Sequence, residues 1–177
     1  MKRLIYPITA FVIVIASAFT VITSQNWTIN EDYSIRFTSK EPSGIFKGLK
    51  GNIIFDEKNP GESKFDVTID VATINTGNGM MNNHAKNAQW FDAEKYPVIK
   101  FTSNEITKTS SGYQAKGDLE LHGVKKEYII PFTFQNTDKG GIFTGSFDVN
   151  RLDFNMGDAK HASTILKIDI SVPVSKS

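Results

Sequence analysis

Three histidines, His84, His122 and His161, are the side chains of this 177-residue chain best suited to moving protons or holding a metal. Their spacing supports neither role. No HxH or HExxH pattern pairs them, and a zinc site needs three or four ligands in tight geometry. Cysteine is absent. That removes thiolate ligands, thiol nucleophiles, disulfides and a lipid-modified N-terminal cysteine together. "GLKGN" and "TGNGM" hold glycines but follow neither a Walker nor a Rossmann pattern, and no serine elbow or catalytic carboxylate pair stands in a suitable setting. A hydrolase or lyase working through His84 with Asp92 or Asp153 lacks catalytic spacing. The sequence therefore points to recognition without catalysis, and no cofactor or metal is expected.

Each polar candidate has two readings. His122 falls in a hairpin turn and His161 in the loop "GDAKHAST", where a turn role and a solvated role are expected. His84 sits among apolar neighbours. It either offers a hydrogen bond to a ligand or ties its segment to a backbone carbonyl, since a buried polar group needs a partner either way. Arg151, in "VNRLDF", has Asp153 two residues on and so on the same strand face. Facing inward, it must meet Asp153 or an anionic headgroup; facing outward, it forms an ordinary surface pair.

The elements around these residues are strands. "KFDVTIDVATI" (64–74) alternates cleanly, with Phe65, Val67, Ile69 and Val71 on one face. "YSIRFTS", "IFTGSFDVNRLDFN" and "TILKIDISVPV" read the same way, and "KNPGES", "SSG", His122-Gly123 and "DKGG" mark turns. About eight strands joined mostly by hairpins make an all-β fold, an eight-stranded antiparallel lipocalin-like barrel, in preference to a sandwich. Only residues 78–91 interrupt the pattern. There Met80, His84, Ala88 and Phe91 recur at helical spacing, with Met81 and Ala85 beside them. Asn78 suits an N-cap and Pro97 stops any long continuation. This predicts a short helix inserted between two strands, its apolar stripe turned to the barrel interior.

Residues 1–24 lie outside this domain. "MKR" followed by "LIYPITAFVIVIASAFTVITS" reads as a signal peptide, cut after Ala18 or just before Gln25, with an uncleaved membrane anchor as the alternative. The expected domain is 25–177, periplasmic or secreted. Without Lys2 and Arg3 the formal charge falls from +1 to −1, which argues against nucleic acid as a partner. Eleven phenylalanines remain in the domain, most of them on the apolar phase. An eight-stranded barrel is either just filled by such residues or just able to hold one small ligand. The first case gives a structural or stress-related envelope protein acting through protein partners. The second gives a pocket for a lipid.

Four segments in order, "SKFDVTIDVATINTGN", "HAKNAQWFDAEKYPVIKFTSNEI", "GDLELHGVKKEYIIPFTF" and "GSFDVNRLDF", resemble the hallmark stretches of the YceI-like family of exported polyisoprenoid-binding proteins. The resemblance covers residues 33–174. It implies a lipocalin-like barrel whose tunnel holds a long isoprenoid chain, such as an isoprenoid quinone or a prenyl phosphate, by binding and not by catalysis. It also implies a frequent homodimer and transient membrane contact for lipid exchange. The family's helix histidine falls on His84, its "NR-D-F" arginine on Arg151, and its aromatic pair on Trp90 and Phe91. With Phe37, Phe65, Ile69 and Phe101, and with Phe132, Phe134 and Phe147, these are the expected ligand contacts. Three departures stand out: Met81 and Asn82 occupy the place of an Arg-Asp pair, Ala85 that of a leucine, and Tyr33 that of a first-strand histidine. The lost charge favours a neutral ligand such as a quinone.

Overall fold

The structure, a computed structural model, describes residues 25–40, 42–160 and 162–177. The proposed leader and His161 thus lie outside the described residues. Five long strands carry most of the wall: β6 (Val98–Thr109), β7 (Gly112–Leu121), β8 (Val124–Thr137), β9 (Gly140–Asn150) and β10 (Ile165–Lys176). They follow β1 (Asn26–Ile29), β2 (Ser34–Thr38), β3 (Gly44–Phe46), β4 (Leu49–Ile54) and β5 (Lys64–Asp70). Every strand pair is antiparallel, in the order β1-β4-β5-β6-β7-β8-β9-β10, and β1 pairs with β10 to close the ring. Closure leaves neither β1 nor β10 as an edge strand.

Two staves of the barrel are each built from two short strands. β2 continues the line of β1 along the same neighbour, with Ile29 opposite Val174 and Ile35 opposite Ile170. β3 likewise continues β4, and a bend at Gly48 (φ 73°) separates them. Counting each broken pair as one strand gives the closed eight-stranded antiparallel barrel expected from the hairpins. The β7–β8 turn, His122-Gly123, has both residues at positive φ, the geometry a tight two-residue hairpin demands.

The β8–β9 ladder runs only from Phe132 opposite Gly145 to Thr137 opposite Gly140. It stops beside Pro131, which has no N–H to offer a neighbouring strand. Beyond that point β9 ends at Asn150, and the strand expected to run on to 155 becomes a 3-10 turn, Arg151–Phe154. The Asn150 side chain accepts from Leu152 N at its start, and Asn155 in the left-handed region ends it. This turn covers the seam. Phe154 is fully buried against the Tyr128 ring, and its carbonyl accepts from His122 Nδ1 at 3.0 Å. His122 is thus a turn residue with a defined bond.

Between β5 and β6 the chain forms α1 (Gly79–Ala85), capped by the Asn78 side chain, which accepts from Met80 N and Met81 N. The expected stripe is shorter than its periodicity implied. The helix ends at Ala85, so Ala88 and Phe91 sit in the turns that follow. Met80 is 80% exposed and does not face the interior; Ala85 and Phe91 do, packed with Ile35, Phe37, Phe46 and Ile74. Backbone bonds between Ile45 and Asn75 tie the start of this insert to β3, and Gly157 N donating to Gln89 O ties its end to the β9–β10 loop.

Candidate ligand cavity and its mouth

The strand pattern sends one face of every strand inward, and those faces do not meet. They enclose a cavity of about 420 Å³, within the ~300–1,000 Å³ of sites that hold small molecules. Phe65, Val67 and Ile69 of β5, Phe147 of β9, and Ile168 and Ile170 of β10 line it. All six remain only half-buried although they point into the barrel. An inward apolar side chain that keeps accessible surface has open space before it.

The floor is aromatic. Phe55, 1% exposed, is ringed by Phe65, Tyr113, Phe132, Phe134 and Phe143 with centroids 5.0 to 6.3 Å away. Most of these rings meet edge-on, the favoured arrangement of two quadrupoles. Trp27 closes the corner, its Nε1 donating to Phe55 O at 2.9 Å. Burial pushes the Tyr113 hydroxyl above its ordinary range, and nearby Glu57 adds to the effect.

The opposite end is formed by α1 and its turns, the β2–β3 loop and the β9–β10 loop. Three side chains interlock there. Trp90 Nε1 donates to His84 Nε2 at 2.8 Å, and the Arg151 guanidinium lies 4.9 Å from the centre of the Trp90 ring. Indole N–H is a donor only, so His84 Nε2 is the acceptor and its ring proton sits on Nδ1. Arg151 is 2% exposed and donates to four backbone carbonyls: Ser163 and Ala162 at 2.8 Å, and those of Met156 and Asp158. Burial lowers the pKa of its guanidinium from the ordinary value, and Asp158 opposes that; the group stays charged. Of the two sequence readings, the inward one holds, but Asp153 is not the partner. Asp153 is exposed and lies within reach of the Asn150 amide. Arg151 organises the β9–β10 loop and spends four of its five N–H donors on it.

Comparison with known proteins agrees with this architecture. The model of the YceI-like domain matches residues 22–175. The chain belongs to the YceI-like family. Relatives include the UPF0312 protein plu2095 of Photorhabdus laumondii, 38% identical over 118 residues, 63% of this chain and 62% of the relative. Protein YceI of Escherichia coli is 37% identical over 136 residues, 73% of this chain and 71% of that protein. The aligned stretch thus spans under two thirds of the Photorhabdus relative. Among solved structures, Burkholderia cenocepacia BcnA superposes with a TM-score of 0.78 at 25% identity, covering 84% of this chain and 99% of BcnA. A Saccharophagus degradans domain, described as polyisoprenoid-binding and implicated in plant cell wall breakdown, superposes at 0.66 with 14% identity. It covers 88% of this chain and all of that domain, a likeness of fold.

Of the residues the sequence singled out, Phe37, Phe65, Ile69, Phe101, Phe132 and Phe147 border the cavity wall, and His84, Trp90, Phe91 and Arg151 border its mouth. Phe134 does not. It belongs to the floor, packed on Phe143 with centroids 4.5 Å apart. Sequence reasoning missed Leu166, Ile168, Ile170 and Ile99 as lining residues. The same alternation that flagged Ile69 carried that signal.

Proposed function

We propose that this barrel binds a long-chain isoprenoid lipid with an uncharged head, such as an isoprenoid quinone, and carries or stores it without catalysis. The observation that supports this most is the cavity whose inward apolar side chains keep accessible surface from the aromatic floor to the mouth. Each isoprene unit buried there is worth about 4 kcal/mol at ~0.8 kcal/mol per carbon. Ordering the chain and the loss of free motion offset much of that gain. Arg151 supports a neutral head: four of its five N–H donors go to backbone carbonyls and its face to Trp90. The barrel shares its fold with the Saccharophagus domain described as polyisoprenoid-binding. A filled core serving only protein contacts fits the open cavity poorly.

In the same reading, residues 1–24 export the 25–177 domain to the periplasm or beyond. No helix among the described residues is long and apolar enough to cross a membrane. Met80 and Met81, 80% and 43% exposed beside the mouth, give the domain an uncharged apolar tip for transient contact with a bilayer. The test is displacement of a fluorescent geranylgeranyl probe from the purified domain. An isoprenoid quinone should displace it at least ~10-fold more effectively than a prenyl phosphate of equal length. Equal competition would remove the neutral head, and failure of either compound or the probe to bind would remove the lipid reading.

A further inference from the structure

The cavity ends short of the barrel's far end. On β10, Leu166, Ile168, Ile170 and Val172 line it, and Val174, the next residue on that phase, does not. Val174 is 2% exposed and belongs to the same buried cluster as Phe55, Tyr113 and Trp27, which lie outside the cavity lining as well. This floor has little give. The Phe134 ring lies so close over Gly141 that a Cβ there would collide with it. The polar atoms around the floor are already engaged. Trp27 Nε1 donates to Phe55 O, the Tyr113 hydroxyl is bound to Glu57, and Ser103 Oγ accepts from Phe65 N. A ligand's head therefore stays at the mouth, and its hydrocarbon end meets the rings.

We infer that the aromatic floor is a chain-length ruler: the barrel takes an isoprenoid of about three to four units and rejects longer ones. The inference rests on the lipid-binding reading and narrows its substrate class. Depth and volume give the same limit. From Leu166 to Val172 the wall advances six residues, ~20 Å of strand at ~3.3 Å per residue. A strand tilt of about 35–45° leaves ~15 Å along the barrel axis. An extended isoprene unit spans ~5 Å, on the scale of the ~3.8 Å covered by the three bonds between successive Cα atoms. The depth thus holds about three units. The cavity of about 420 Å³, at ~30 Å³ for a carbon-sized group as for a water molecule in the liquid, holds ~14 such groups, again about three units. A fourth unit reaches the rim, where Met81 and Phe91 border the cavity. Any surplus beyond it is left in water, and every exposed carbon counts against the complex.

Two residues adjust the ruler from opposite sides. Val67 is an inward, half-buried wall residue, and Phe143, 4% exposed, borders the cavity from the floor. Val67→Phe adds nearly one isoprene unit of carbon to open space, and Phe143→Ala removes slightly more than one. The test equilibrates the purified domain with phosphatidylcholine vesicles holding equimolar isoprenyl alcohols of two to eight units, sediments the vesicles, and reads the alcohols bound to the soluble protein by mass spectrometry. Every length then starts from a hydrocarbon surrounding, so occupancy reports fit. The unaltered domain should carry the three- and four-unit alcohols, and each longer one at least ~10-fold less. Val67→Phe should move that limit one unit shorter and Phe143→Ala one unit longer. If Phe143→Ala does not fold, Val67→Phe, which opens no void, carries the test alone. Alcohols of six to eight units bound as well as those of three and four, or a limit unmoved in Val67→Phe, overturn the ruler and leave the lipid reading standing. A folded domain that carries no alcohol of any length overturns the lipid reading and the ruler with it.

Discussion

Replacing Phe55 and Phe147 by alanine, one at a time, separates the floor from the cavity wall. Phe55 is 1% exposed and has five aromatic neighbours within 6.3 Å, four of them meeting it edge-on at 5.0 to 5.6 Å. Removing it leaves a void among packed rings and deletes those ring contacts. A buried phenylalanine truncated to alanine costs ~3–5 kcal/mol, and rings in edge contact place the cost near the top of that range. The expected loss is about 4–5 kcal/mol, or ~8–20 °C in the melting temperature of a domain this size. Phe147 is inward but only half-buried and borders the cavity. Its removal enlarges a space that already exists, so only the transfer cost of a partly exposed ring is lost, about 1–2 kcal/mol. Urea unfolding at constant m-value measures both. Probe affinity should fall for Phe147→Ala. Similar costs for the two variants, or a Phe55→Ala cost below about 2 kcal/mol, would refute the division into packed floor and open wall.

Arg151→Met strands four carbonyls in a buried place and should cost about 3–5 kcal/mol, with faster amide exchange across residues 155–164. Arg151→Lys should recover little of this, because one ammonium cannot reach the same fork of acceptors. Asn78→Ala removes the cap of a seven-residue helix and should raise exchange at residues 80–84, costing about 1 kcal/mol, whereas Asn78→Asp should not. Tyr128 is raised above its ordinary value of 10.0, chiefly by burial and slightly by Asp153, while a hydrogen bond from the Asn150 backbone works the other way. A raised folded-state value means stability that is complete below pH ~10 and lost as pH climbs through the folded value. Alkaline titration of unfolding should show this loss, and Tyr128→Phe should reduce it.

Much of the barrel was legible because each strand buries one face, and burial of one face writes itself as alternation. "KFDVTID" and "YQAKGDLEL" carry it without a break, and the turns between strands carry residues tolerant of positive φ, as at His122-Gly123. Where the signal failed, a local bond outweighed the pattern. "RLDF" alternates like a strand, yet the Asn150 side chain captures Leu152 N and turns the chain. Met80 fell on the helical stripe, but that stripe needs three turns and α1 has only seven residues. Phase along a strand says inside or outside and not how high along the axis, so Phe134 read like Phe132 although it lies in the floor. The Trp90–His84 bond was not legible at all. It depends on the turn at Asn87–Asp92 folding the indole back over the helix, where Asp92 adopts a φ of 46°.

The central claim is that the cavity holds an isoprenoid lipid. Native mass spectrometry of the domain purified from its own envelope, followed by organic extraction and lipid analysis, tests it most directly. The account expects a stoichiometric isoprenoid with an uncharged head, released on denaturation and taken up again by the emptied, folded protein. A folded protein that emerges empty and also refuses added isoprenoids would contradict it.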